Sequence, residues 1–297
     1  MMDIQLFDPW KINVDLHCHS NISDGKLEPE AVVERAKSFG VEVLALTDHD
    51  ELKGLARAQA KAKELDLLFV PGVEVSVTWA GSTIHIVGLN VDPDSSILFN
   101  NLKQVRSGRA ARALEMAAKL ATLGIPNAYE GALKFVGNPD LISRTHFARF
   151  LVEAGHCTDM HQVFEKYLGD GKPAYIAQDW AKLSDAVSWI VAAGGTAVVA
   201  HPARYRFNDV KMWAFFQEFK DAGGRAIEVI SGSHTQADYI RYAHYANEFG
   251  FLGSRGSDFH APLETHIELG KVPPMPDSVK PVWFDWPQVI ERFQTLN

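Results

Sequence analysis

Cysteine is nearly missing from this chain of 297 residues: Cys18 and Cys157 are the only two. That scarcity excludes a disulfide framework and any CxxC pair, and it fits a reducing, cytoplasmic setting. Long apolar runs are missing too. No stretch approaches the roughly 18 residues that a membrane-spanning helix needs, and the N-terminal MMDIQLFDPWK lacks the apolar core of a signal peptide. A cytoplasmic enzyme without membrane contact is the expectation. Nor is there an excess of basic residues, since 29 Lys and Arg face 37 Asp and Glu for a formal net charge of −8. Clamping a long duplex nucleic acid takes a broad basic surface, so that class is set aside; a small phosphorylated ligand held by a few local arginines is not. Repeats and low-complexity tracts are absent. With 46% hydrophobic and 22% charged residues, the composition is that of a globular protein large enough for an α/β barrel or a barrel with an insert.

Hydrophobic patterning divides the chain in three. Strands are expected at 12–16, 41–46 and 67–70, with helices at 29–39 and 52–65 between them and a hairpin of 75–79 with 83–89 around Ala80-Gly81. Strands separated by helices imply parallel pairing. From about 100 to 167 the strand signals stop, and helices are expected at 105–123, 128–135, 143–154 and 160–168. The strand–helix rhythm returns at 183–193, 196–200, 210–222, 226–230, 236–249 and 251–253, and a proline-rich tail from 272 to 287 is expected on the surface. The expected organisation is therefore a barrel domain (1–99 and 168–297) interrupted by a helical insert (100–167).

Nine residues of metal-ligand type fall within or beside the apolar runs: His17, His19, Asp24, His49, Glu74, His85, His201, Asp258 and His260. His17-x-His19 and Asp258-x-His260 each place two donors on one face of an extended segment. Thr47-Asp48-His49-Asp50 follows the apolar run Val43-Leu44-Ala45-Leu46, and a helix N-cap accounts for one of its acids, Asp50. Glu74 reads as ending a strand, where a buried carboxylate is costly unless paired or metal-bound. His85 sits mid-strand, and Asp24 lies in a Ser-Asp-Gly turn. Singly, several of these residues have ordinary structural explanations; nine coinciding, all but His85 and Asp24 at barrel-strand ends, do not. Imidazoles mixed with carboxylates suit Mn²⁺, Zn²⁺ or Fe²⁺, nine donors exceed the needs of one ion, and hydrolysis at phosphorus is the chemistry such clusters serve.

The motifs Asp15-Leu16-His17-Cys18-His19-Ser20, Ser23-Asp24-Gly25, Thr47-Asp48-His49, Gly72-Val73-Glu74, His201-Pro202 and Gly256-Ser257-Asp258-Phe259-His260, with His85, resemble those of the PHP (polymerase and histidinol phosphatase) family over nearly the whole chain. The helical insert with Ile142-Ser143-Arg144-Thr145-His146 resembles the subfamily of nucleoside 3′,5′-bisphosphate phosphatases, which also contains a 5′→3′ exoribonuclease acting on short 5′-phosphorylated RNAs. The resemblance implies a distorted (β/α)₇ TIM-like barrel and three divalent ions, most often manganese. It further implies that His17, His19, Glu74 and Asp258 hold one ion, that Glu74 bridges to a second held by His85 and His201, and that Asp24, His49 and His260 hold the third. Catalysis is then expected to rest on Glu74, Asp258 and His201, with water activated between ions as nucleophile and no covalent protein intermediate.

Substrate groups come from elsewhere. Ser143 reads as a helix N-cap followed by Arg144, a combination suited to an anion. Arg204, three residues past His201, is a second phosphate candidate. His234 is either a general acid or a satisfied loop histidine, and the sequence favours the latter. Arg106, Arg109 and Arg112 form a stripe, read as a solvated face or as an attractor of an oligonucleotide. Met116, Leu120 and Leu123 read as helix core. Three alternatives remain. A phosphatase for another monoester such as histidinol phosphate would not need the Ser143-Arg144 pair; an amidohydrolase-like deaminase usually adds a strand-end lysine; a non-enzymatic PHP module tends to lose ligands.

Overall fold

Short apolar runs separated by amphipathic helices fold here as a sheet that curls back on itself. The computed structural model describes residues 8–264 and 267–294, so residues 1–7 of the segment examined for a signal peptide lie outside the described residues. The strands are β1 (Val14–Asp15), β2 (Val43–Leu46), β3 (Leu68–Trp79), β4 (Ser82–Leu89), β5 (Ala181–Lys182), β6 (Thr196–Val199), β7 (Ala226–Ser231) and β8 (Leu252–Gly256). Their order is β1-β2-β3-β4-β6-β7-β8, with β5 beside the far end of β3. Main-chain bonds nearly close the ring: Leu16 N–H donates to Arg255 O (3.0 Å), Asp258 N–H to His17 O (2.8 Å) and His19 N–H to Phe259 O (2.8 Å). Gly256 permits this approach, since a Cβ there would stand 2.4 Å from His17 Cβ. The result is a distorted seven-stranded α/β barrel.

Helices α1 (Pro29–Ser38) and α2 (Leu55–Glu64) join the first three strands. After β4 come α3 (Ser96–Ser107), α4 (Arg109–Thr122), α5 (Ala128–Leu133), α6 (Arg144–Glu153) and α7 (Met160–Val163), the last running into a π turn over Phe164–Leu168. Helices α8 (Leu183–Ala192), α9 (Asp209–Asp221) and α10 (Gln236–Phe249) alternate with the later strands, and α11 (Pro287–Gln294) ends the described chain. None of the described helices is long and apolar enough to cross a membrane. There are two cores. The barrel core takes in Leu98 and Leu102 of α3. A second core, from Ala113 to Ala174, is built around Met116, Leu120, Phe147, Leu151 and Val163.

The structure corrects several expectations. The runs at 67–70 and 75–79 are one continuous strand, β3, so Glu74 lies inside a strand rather than at its end. Strand β4 pairs antiparallel with β3, as the expected hairpin requires, but it also runs antiparallel to β6, an exception to the parallel rule. The segment expected as β-strand at 12–16 forms a ladder with β2 only at Val14–Asp15; beyond it, single main-chain bonds to Arg255, Asp258 and Phe259 carry the chain through the His17–His19 segment. The helix expected at 105–123 breaks at Gly108 into α3 and α4. Leu123 is exposed at the end of α4, unlike Met116 and Leu120. The tail is not superficial: Val279, Val282 and Trp283 are buried, and the Trp283 indole donates to Pro9 O at 2.8 Å.

Candidate metal centre

Backbone pairing past the strand ends positions the donors. After β2 the chain stays in register with β3, since Asp50 N–H donates to Glu74 O (2.9 Å) and His49 bridges Glu74. That register brings His49 Nδ1 to 3.0 Å from Glu74 Oε2. In the β3–β4 ladder His85 pairs with Ser76 and Glu74 with Val87, so His85 is the diagonal neighbour of Glu74, and its Nδ1 lies 2.9 Å from Oε1. His201 Nε2 reaches the same oxygen at 2.9 Å. His17 and His19 place their Nε2 atoms 3.3 and 3.2 Å from Glu74 Oε2, and 3.5 and 3.2 Å from Asp258 Oδ1. His260 Nε2 and His49 Nε2 stand 3.3 and 3.8 Å from Asp24 Oδ1. All nine sequence-derived candidates thus meet at one end of the barrel.

Their donor atoms gather in three sets, each within 4.8 Å: His17, His19, Glu74 and Asp258; His19, Asp24, His49 and His260; and His49, Glu74 and His85. The partition differs from the expected one in that His19 and His49 each belong to two sets, while His201 approaches through Glu74. Several of these atoms are buried without a hydrogen bond, among them His17 Nε2, His19 Nε2, Asp24 Oδ1, Glu74 Oε2 and His85 Nδ1. Converging orphaned lone pairs are costly unless a cation satisfies them, and the donor set suits borderline divalent ions. The residues present therefore fit metal ions.

The charges of the site are mutually dependent. Burial opposes ionisation of Glu74, but the imidazoles of His49, His85 and His17 outweigh it and hold this carboxyl well below the usual range. For Asp258 burial is likewise outweighed, by Arg204 and then His17, and for Asp24 by His49 and His260. Burial would discharge His19, yet Asp258 and Glu74 push it up to about 10. Burial, with Arg204 beside it, brings His201 down to about 4.

Residues the sequence reading missed hold this arrangement in place. Glu228, lone in the apolar run of β7, accepts from His17 Nδ1–H (2.6 Å) with one oxygen and from the His201 N–H (2.6 Å) with the other. An unpaired acid in a buried strand was the available signal. Asp48 accepts from Ser20 N–H and from the Ser20 and Ser23 hydroxyls (2.8, 2.6 and 2.6 Å), fixing the loop that carries Asp24. His201 and Asp258 have left-handed backbones, φ 28° and 53°, a strain of about 1–3 kcal/mol each that the surrounding bonds maintain.

Asp50 does not cap α2, whose N-cap is Gly54. It accepts from Ser76 N–H (2.7 Å) and Oγ–H (2.9 Å) and pairs with Arg109. The arginine stripe is not a solvated face: Arg106, Arg109 and Arg112 are all buried. Arg106 donates to Asp50 O, Arg112 Nε–H donates to Ile176 O (2.9 Å), and the guanidiniums of Arg109 and Arg112 lie over the Trp180 ring. Burial and the neighbouring Arg144 and Arg109 lower Arg112 to about 10. His234 is a satisfied histidine, donating from Nδ1 to Val229 O (3.1 Å) and accepting from Ala203 N–H (3.4 Å).

Ser143 caps α6 and turns its hydroxyl to Asp24 Oδ2 at 3.2 Å. Arg144 pairs with Asp170 (3.0 Å) and lies over the Phe164 and Tyr175 rings. Arg204 pairs with Asp258 (2.5 Å). A cavity of about 210 Å³ lies between the donors and α4–α6, with Arg109, Arg112, Ser143, Arg144, Trp180 and Arg204 on its wall.

A barrel that gathers imidazoles and carboxylates at its strand ends beside a cationic wall defines a metal-dependent hydrolase. The family model of the PHP domain matches residues 15–234, and the chain belongs to that family. It is 48% identical, over 91% of its length and 95% of the relative's, to a 3′,5′-nucleoside bisphosphate phosphatase of Chromobacterium violaceum. It is 43% identical, over 91% and 97%, to a 5′-3′ exoribonuclease of Haemophilus influenzae. A solved structure from C. violaceum, described as an amidohydrolase with bound sulfate and no metal, superposes with a TM-score of 0.90 at 46% identity, covering 94% of this chain and 96% of that one.

Proposed function

We propose that this protein is a cytoplasmic phosphoesterase that removes the 3′-phosphate of nucleoside 3′,5′-bisphosphates and frees mononucleotides from the 5′ end of short 5′-phosphorylated RNAs. The observation that carries this reading is the pairing of two features at one cavity: seven of the nine convergent metal donors on one side, with His17 and His19 behind them, and Arg109, Arg112, Ser143 and Arg144 on the other. A phosphatase for a monophosphate needs only the first. A substrate with two phosphates, one cleaved and one held, uses both, and the names of the similar proteins agree with that division.

Three divalent ions, manganese above zinc or iron, are the proposed cofactors, held by His17, His19, Asp24, His49, Glu74, His85, His201, Asp258 and His260. When bound, such ions lower the pKa of water and neutralise phosphoryl charge. The chain's own groups do the rest. Glu74 faces five imidazoles and so fixes the spacing of the donors. Asp258 and His201, held by Glu228 and Arg204, complete the reacting end. Arg204 is placed to hold oxygens of the cleaved phosphate, and Arg112, Ser143 and Arg144 those of the other. No side-chain nucleophile is needed.

The test is turnover by manganese-loaded protein of a nucleoside 3′,5′-bisphosphate, a 5′-phosphorylated trinucleotide and histidinol phosphate. The reading expects kcat/KM to favour the first two; preference for histidinol phosphate would overturn it.

A further inference from the structure

A second groove, of about 480 Å³, opens from the cavity and shares Thr83, Phe164, Arg144 and Arg204 with it. This volume falls within the roughly 300–1,000 Å³ of small-ligand sites. Beyond the shared residues its wall carries Lys172 and Arg206, both exposed. Of its two acids, Asp170 pairs with Arg144 (3.0 Å), and Glu165 is outnumbered by the cations Arg144, Lys172, Arg204 and Arg206 on the same wall. Among the described residues, no carboxylate lies within ion-pair distance of Lys172 or Arg206. On a chain of net charge −8, two uncompensated cations in a groove continuous with a phosphate site are a local reversal of the overall field. Phe164 and Tyr205 contribute half-buried rings to the same wall. Cations that track a backbone and rings that accept bases are the elements of single-strand binding.

We propose that this groove holds the nucleotides on the 3′ side of the cleaved phosphodiester of an RNA substrate. The inference rests on the reading above and extends it from the cleaved end to the rest of the strand. With the 5′-phosphate against Arg112, Ser143 and Arg144 and the first phosphodiester over the metal donors, the remaining strand leaves past Arg204. Arg206 and Lys172 line the groove that begins there and not the cavity of the donors, so they are set to meet later phosphates. A nucleoside bisphosphate, which ends at the cleaved phosphate, does not reach them.

The experiment compares the manganese-loaded parent with the double variants Lys172→Gln/Arg206→Gln and Lys172→Glu/Arg206→Glu. The substrates are adenosine 3′,5′-bisphosphate and a 5′-phosphorylated pentanucleotide. Thermal unfolding checks that the exposed substitutions leave the fold intact. The neutral pair should raise KM for the pentanucleotide about tenfold and the reversed pair further, with kcat/KM for the bisphosphate within twofold of the parent. Binding of a fluorescent, phosphorothioate-linked pentanucleotide should lose salt dependence, its slope against log salt shrinking by about 0.7 for each cation removed. Equal losses on both substrates, or none on the pentanucleotide, would overturn the groove assignment. A parent that leaves the bisphosphate untouched would instead refute the functional reading, while the pentanucleotide binding data would still decide the groove.

Discussion

Glu228→Gln is the sharpest perturbation that the structure offers, because it turns one of two buried acceptors into a donor without changing shape. In the native side chain both oxygens accept, one from His17 Nδ1–H and the other from the His201 N–H, each at 2.6 Å. Glutamine has one acceptor and one donor. If its oxygen faces His17, its NH₂ confronts the His201 N–H, donor against donor, at a residue already strained at φ 28°. If its oxygen faces His201, its NH₂ demands a lone pair on His17 Nδ1. The proton then moves to Nε2, the atom directed at Glu74 and Asp258, and blocks donation to a metal. Neither orientation avoids a loss. Partners of this kind cost 10–100-fold in metal affinity when removed, or about 1.4–2.8 kcal/mol. Titration calorimetry of Mn²⁺ into the chelated protein, beside thermal unfolding without metal, measures this separately from stability. A variant that binds manganese within about threefold of the parent and also unfolds as the parent does would refute the argument that both Glu228 oxygens are needed as acceptors.

Glu74→Gln should leave a folded protein whose turnover falls more than tenfold, above about 1.4 kcal/mol in barrier, because an amide cannot face five imidazoles with the same charge; near-parental rates would contradict it. Arg144→Ala should cost about 1.5–3 kcal/mol in kcat/KM for a bisphosphate, the worth of a charged hydrogen bond, and far less for p-nitrophenyl phosphate; equal losses on both would show that the arginine does not read the second phosphate. His146, buried and accepting from Ser143 N–H at 3.0 Å, has its pKa lowered by burial to about 4. The unfolded state therefore takes up a proton near pH 6.5 that the native state refuses until about 4. Its stabilising contribution is complete above 6.5 and lost as pH falls to 4. Chelated parent protein should lose about 3 kcal/mol more than His146→Gln across that window, and parallel denaturation curves would contradict this.

The barrel was legible because its strands are apolar runs bounded by turn residues, and the donors because each interrupts or follows such a run. Periodicity failed where one segment serves two purposes. β3 carries Glu74 within a ladder that continues to Trp79, so a strand that looks like two is one. The Gly108 break is invisible to a pattern of arginines spaced three apart, which keeps its phase across the junction of α3 and α4. The burial of those arginines was equally hidden. Their partners, Asp50 and the Ile176 carbonyl, lie 59 and 64 residues away in sequence, and a stripe of charge does not reveal a distant acceptor. Glu228 was the one omission that the sequence could have prevented, since β7 is otherwise apolar from Ala226 to Ile230.

The composition of the donor set also explains why the cavity can attract a highly charged substrate. Six of the nine candidates are imidazoles, which are neutral as ligands, and only Asp24, Glu74 and Asp258 bring negative charge. Three divalent ions would therefore outweigh their carboxylates, and the surplus would stand beside Arg112, Arg144 and Arg204. An all-carboxylate cage for the same ions would be close to neutral or negative and would repel phosphate. Before any ion arrives, Arg204 serves another end: its pairing with Asp258 compensates a buried carboxylate. Metal binding would take over that compensation and free the guanidinium for substrate. On this account metal loading and phosphate binding are coupled through Asp258, so inorganic phosphate should bind the manganese-loaded protein at least tenfold more tightly than the chelated one. Equal phosphate affinity in the two forms, read by calorimetry, would break the link between the donors and the arginine wall.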